Sequence, residues 1–101
     1  MAWVRLEVMG WLSERHTPPS SGPLVLKEEI REAESVQALL NRLSRLYPVF
    51  QECIFDGKAQ ELAGQVTVIY NGRLLDLAEG LNTKLKDGDT LLFVPAFAGG
   101  R

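Results

Sequence analysis

The amino-acid sequence predicts an α+β domain in which one main helix packs across a mixed sheet. Three features carry that reading. The first strand-like segment alternates with a period of two, a leucine-rich stripe follows with helical spacing, and an Asn-Gly pair near the C-terminus marks a tight hairpin.

In residues 2–12, Val4, Leu6 and Val8 fall on one side and Arg5 and Glu7 on the other, the pattern of a half-buried strand. Residues 13–23 collect Ser, Thr, Gly and three prolines around Arg15 and His16, a composition that predicts an exposed, mobile loop. Leu24, Leu26 and Ile30 mark a second extended segment, crowded at its far end by Lys27, Glu28 and Glu29.

Ser35 precedes Val36, Leu39, Leu40, Leu43, Leu46 and Tyr47, which share one face of a helix. The Ser35 hydroxyl can accept a hydrogen bond from a first-turn amide. Glu32 and Glu34 lie near the positive end of the helix dipole, Arg42 and Arg45 lie toward the other end, and Pro48 stops the helix. Between residues 49 and 65 the pattern is weak, with Phe50, Ile54, Phe55 and Leu62 as anchors of a short helical turn and a loop closing at Asp56-Gly57. Residues 66–70 are β-branched and aromatic, and Asn71-Gly72 accepts the positive φ angles of a type I′ turn, so residues 73–75 pair back as a hairpin. The Lys86-Asp87-Gly88-Asp89 turn feeds a final strand at 90–94, which can lie beside the first strand in the centre of the sheet.

Composition narrows the function. The 101 residues hold 46% hydrophobic and 24% charged side chains, enough for one domain that buries roughly 65% of its unfolded surface. With 11 Lys and Arg against 13 Asp and Glu, the net charge of −2 offers no electrostatic footprint for a phosphate backbone, so no nucleic-acid partner is expected. No run approaches the roughly 20 apolar residues of a membrane span, and no secretion signal is recognisable. A single cysteine, Cys53, suits a reducing cytoplasm.

Catalysis within the chain has little support. Nucleophilic chemistry requires an activated Ser, Cys or Lys beside a base, and a metal site requires converging ligands. Here one His and one Cys stand far apart in sequence. Cys53 reads as a small buried apolar residue and His16 as a solvated loop residue, while Glu28-Glu29 and Asp87-Asp89 read as solvated turn or edge charges. Trp3 and Trp11 fall on the strand face opposite Val4, Leu6 and Val8, where Trp3 is a candidate for partner docking.

The C-terminal Ala96-Phe97-Ala98-Gly99-Gly100-Arg101 is the feature with chemical consequence. Two glycines after a strand remove both Cβ atoms and leave a thin backbone able to enter a narrow channel. From Ala96 to Gly100, five extended residues reach about 16 Å. A frayed chain end has the same composition.

The run Tyr70-Asn71-Gly72-Arg73, then Gly80-Leu81-Asn82-Thr83-Lys84-Leu85-Lys86-Asp87-Gly88-Asp89, then Val94-Pro95 and Ala98-Gly99-Gly100, resembles the MoaD/ThiS group of ubiquitin-like sulfur carriers. The motifs match in the C-terminal third, and the element order and leucine-rich helix match elsewhere. The resemblance implies the β-grasp fold, a mixed sheet of four to five strands with one main helix across it, as a single domain over 1–95 followed by a flexible tail at 96–101.

It further implies a carrier that is not itself an enzyme and binds no cofactor. An E1-like enzyme would use ATP to adenylate the Gly100 carboxylate, and a sulfur nucleophile would displace AMP to leave a thiocarboxylate. Gly99 and Gly100 would carry the transfer, with Pro95, Phe97 and Ala98 seating the tail. The acceptor would be the molybdopterin synthase large subunit or another sulfur-acceptor enzyme, in the cytoplasm. Arg101 departs from the pattern, because its amide blocks activation of Gly100. A tail-processing peptidase removes it, or it is foreign to the natural chain, or the homologue is not a carrier. A lysine-linked protein modifier and a β-grasp module that binds without terminal chemistry are the alternatives.

Overall fold

A computed structural model describes residues 2–9, 24–64, 66–75 and 80–95. The expectations for loop 13–23 with His16, for Trp11 and for the tail at 96–101 lie outside these residues.

Strand β1 (Ala2–Val8) pairs antiparallel with β2 (Leu24–Ile30) and parallel with the last strand, β7 (Thr90–Pro95). The hairpin strands β5 (Val66–Tyr70) and β6 (Arg73–Leu74) complete a five-stranded sheet in the order β2-β1-β7-β5-β6. The first and last strands therefore lie side by side, as the sequence predicts, and this is the β-grasp arrangement. Asn71 at φ 51° and Gly72 at φ 85° make the expected turn between β5 and β6.

Helix α1 (Val36–Leu46) starts at Ser35, whose side-chain oxygen accepts from the Ala38 amide at 3.1 Å. It buries Val36, Leu39, Leu40 and Leu43 against the sheet. Each such side chain stabilises the fold by about 1.5–3 kcal/mol relative to exposure. Leu46, expected on the same stripe, is instead 61% exposed. At 100° per residue it stands about 80° around the helix from Val36, at the margin of the stripe and in the last turn.

Glu34 and Arg42, read from sequence as partners of the helix dipole, pair with each other at 3.0 Å. Arg42 also lies 3.7 Å from Glu28. That overturns the reading of Glu28 as a solvated charge, since its side chain is 16% exposed. Glu29 remains exposed, as expected.

The weakly patterned stretch folds into a single π-helical turn (Phe50–Ile54), closed by the Phe55 amide donating to the Phe50 carbonyl. A short ribbon of β3 (Phe55–Asp56) and β4 (Glu61–Leu62) follows. The turn places Phe50, Cys53 and Ile54 in the core together, the i, i+3, i+4 spacing of one helical face. Phe50 meets Phe93 of β7 edge to face, with centroids 5.4 Å apart. Cys53 is buried, as expected.

Tyr47 closes the helix over β2. Burial pushes its phenol above the ordinary value of 10.0, and the neighbouring Glu28 carboxylate adds to the rise. Glu28 also accepts the hydrogen bond of the phenol at 3.2 Å.

Two outcomes are expected. Phe93→Ala should cost about 3–5 kcal/mol in urea unfolding, because it opens a cavity against Phe50 in a fully buried site. The raised Tyr47 pKa stabilises the fold below about pH 10, a contribution lost as the pH rises through the folded-state value. Tyr47→Phe should therefore flatten the fall in unfolding midpoint above that pH, relative to the unaltered chain.

Candidate functional site

Strand β7 ends at Pro95, which lies opposite Val66 of β5, two residues after Phe93, which lies opposite Val8 of β1. The Met9 amide donates to the Phe93 carbonyl at 2.9 Å and holds the strand almost to its last residue. Pro95 has no amide hydrogen, so it ends the ladder with no donor left over. It is half-buried. Phe97, Ala98, Gly99 and Gly100 lie outside the described residues.

Strand β7 alternates its side chains between two environments. Leu91 and Phe93 enter the core beneath α1, whereas Leu92 and Val94 face the other side of the sheet, which no helix among the described residues covers. Register places Ile69 beside Leu92, Thr67 beside Val94, and Leu74 beside Ile69. Glu7 stands on the other side of Leu92, with Val25 beyond it. Leu74 and Val25 are 46% exposed each. The result is an apolar strip adjoining the root of the tail.

Sequence reasoning chose Trp3 for docking and passed over this strip. Trp3 is 45% exposed, but it stands at the opposite end of β1, roughly 23 Å along the strands from the level of Pro95 at about 3.3 Å per residue. The missed signal was the unbroken run Leu91-Leu92-Phe93-Val94. Four apolar residues in a central strand have two sides to cover, and α1 covers one.

At the end far from the tail, the 86–89 turn is clasped by Asp89. Its carboxylate accepts from the Tyr70 hydroxyl at 2.8 Å, the Asn71 side-chain amide at 3.0 Å and the Lys86 backbone amide at 2.8 Å. Asn71 in turn accepts from the Thr90 amide at 2.8 Å. Asp89 is 6% exposed, which corrects its reading as a solvated turn charge. The carboxylate is drawn inward because three donors converge on it. Asp87 does stay exposed, its Oδ1 accepting from the Trp3 amide at 2.9 Å, and Gly88 takes the left-handed φ of 88° that the turn requires.

Among the described residues, no three His, Cys, Asp or Glu side chains come together as a metal site, and no helix is long and apolar enough to cross a membrane.

The sequence profile of the ThiS family matches residues 8–100. The chain belongs to the ThiS family. No match was found among the curated proteins. Among solved structures, the small archaeal modifier protein 1 of Methanosarcina acetivorans is similar at 30% identity and a TM-score of 0.70, over 99% of this chain and 98% of that one. A Pyrococcus furiosus protein assigned as molybdopterin converting factor subunit 1 shares 17% identity, with a TM-score of 0.67 over 96% of this chain and all (100%) of the other. CysO in the Amycolatopsis orientalis BexX/CysO complex gives 22% identity and a TM-score of 0.64, over 96% and 99%.

The ThiS-family chain thus has the fold of the ubiquitin-like sulfur carriers, a family of small carrier proteins. The family motif residues at 70–73 and 86–89 are the clasp, and their place in the structure gives them a physical task. Tyr70, Asn71 and Asp89 fix Tyr70 against Leu91, and this register carries along the strand to Val66 against Pro95. A slip of one residue would turn Leu92 and Val94 into the core and the tail root to the other face.

Asp89→Asn keeps the shape and removes one acceptor oxygen from a site with three donors. It should lower stability by about 1–3 kcal/mol, read as a lower urea midpoint with an unchanged slope.

Proposed function

We propose that this protein is a sulfur carrier that works through a thiocarboxylate at Gly100, as a MoaD-like small subunit of molybdopterin synthase in molybdenum cofactor biosynthesis. The observation that carries the reading is the ThiS-family match running through the diglycine to Gly100, on a chain whose last strand delivers that tail from the sheet end. A peptidase first removes Arg101. The freed Gly100 carboxylate attacks ATP held by an E1-like enzyme, pyrophosphate leaves, and the mixed anhydride with AMP forms. A sulfur nucleophile then takes the acyl carbon, AMP departs, and the thiocarboxylate passes its sulfur to the acceptor enzyme.

The partners supply the catalytic groups. This chain supplies Gly99 and Gly100 for access, Phe97 and Ala98 for seating, and Pro95 as the fixed root. The apolar strip of Leu92, Val94 and Ile69 offers a docking surface next to that root, and the exposed Trp3 offers another at the opposite end of the sheet. The setting is the cytoplasm, whose reducing conditions suit a thiocarboxylate and a chain with a single, buried cysteine.

A second reading, conjugation to lysine as a protein modifier, is favoured by the 30% identity with small archaeal modifier protein 1. The two share the adenylate and diverge at the nucleophile.

Intact-mass spectrometry separates them. Protein from its native cells, before and after incubation with ATP, an E1-like enzyme and a sulfur source, is expected to lack Arg101 and then to exchange one oxygen for sulfur at Gly100. Deleting residues 100–101 should abolish the exchange while circular dichroism stays unchanged. Retained Arg101 with no thiocarboxylate, or sulfur transfer by the truncated chain, overturns the carrier reading. Lysine-linked adducts assign the modifier role.

A further inference from the structure

The turn between β5 and β6 carries a chemically weak pair. Asparagine is a thermally labile residue, and a following glycine leaves its side-chain carbonyl carbon open to attack by the next backbone nitrogen. Gly72 follows Asn71, both residues are exposed, and nothing stands within 4 Å of where a Gly72 side chain would begin. Neither bulk nor burial slows the reaction at this turn.

The fold restrains it in another way. In the strand order β7-β5-β6, Gly72 leads the chain on to β6 while the Asn71 side chain is held at the start of β7. Its Oδ1 accepts from the Thr90 amide at 2.8 Å and from the Thr90 hydroxyl at 3.2 Å. Its Nδ2 donates to Asp89 Oδ1 at 3.0 Å, and the Asn71 backbone amide donates to the Thr90 carbonyl at 3.0 Å. Both polar atoms of the side chain are engaged, so the carbon between them does not turn to the Gly72 nitrogen until those bonds break.

We propose that Asn71 is a deamidation site held closed by Asp89 and Thr90, and that its reaction releases the clasp in one direction only. When the turn opens, the Gly72 backbone nitrogen loses its proton and bonds to Asn71 Cγ, the side-chain nitrogen leaves as ammonia, and water opens the resulting ring. The balance is one water taken up and one ammonia given off, with no oxidant or reductant. Opening at one carbonyl gives aspartate, and at the other gives isoaspartate, whose main chain is longer by one carbon. Either product replaces the donor of the 3.0 Å bond with a second carboxylate facing Asp89. Like charges at that distance repel, so a turn that has reacted does not close on Asp89 again. The inference is independent of any chemistry at Gly100.

The natural full chain is kept at mildly alkaline pH, folded and in urea, and conversion is followed by mass spectrometry of the fragment holding residues 71 and 72 and by isoaspartate labelling. Conversion is expected to be slower in the folded chain by on the order of tenfold or more. Asp89→Ala removes both acceptor oxygens. With the globally unfolded fraction of each chain subtracted, it should convert several-fold faster than Val49→Ala, which weakens the core beyond the end of α1 instead. Equal rates for the folded chain and the chain in urea, or an Asp89→Ala chain no faster than Val49→Ala, overturn the restraint. Asn71→Asp reproduces one product. Its urea midpoint should lie below that of Asn71→Gly, which loses the same side-chain bonds and adds no charge, and a midpoint at or above that of Asn71→Gly overturns the release.

Discussion

The parallel pairing of β1 with β7 is the constraint on which the rest depends. Two strands drawn from opposite ends of the chain run side by side through the centre of the sheet, so the intervening chain must cross over, and α1 lies across the sheet in that crossover. The apolar stripe of α1 then has one place to go, above Val4, Leu6, Leu91 and Phe93. Parallel strands do not fix their own register through a short turn. Here the Asp89 clasp does it, tying the start of β7 to both the β5–β6 turn and the start of β1.

Much of this was legible. Strict alternation at Val4, Leu6 and Val8, the spacing from Val36 to Leu43, and Asn71-Gly72 each report a local rule, and local rules survive folding. The illegible parts depend on partners distant in sequence. Nothing near Asp89 announces that Tyr70 and Asn71 will meet it, so a carboxylate in a turn reads as solvated. Glu28 and Glu34 likewise turn inward because Arg42, a full turn or more into the helix, lies within reach of both. The short helical turn anchored by Phe50 and Ile54 was legible from their spacing, but its widening to a π turn was not, since that depends on how the turn packs in the core.

The candidate site shows the same division. The diglycine was visible as composition, and its family motifs were visible as words. Which side of β7 α1 leaves uncovered was not, since that depends on which face of the sheet the helix packs against. The acidic groups the fold draws inward are occupied in holding strands and helix together.

Pro95 and the strand behind it have a mechanical consequence. A pull applied beyond Pro95 would load β7 along its axis, and β7 is bonded on both sides, to β1 and to β5. Such a load shears two ladders at once instead of unzipping one bond at a time. The last described strand is therefore the one whose displacement along its own axis the sheet resists most, since two neighbours must give way together.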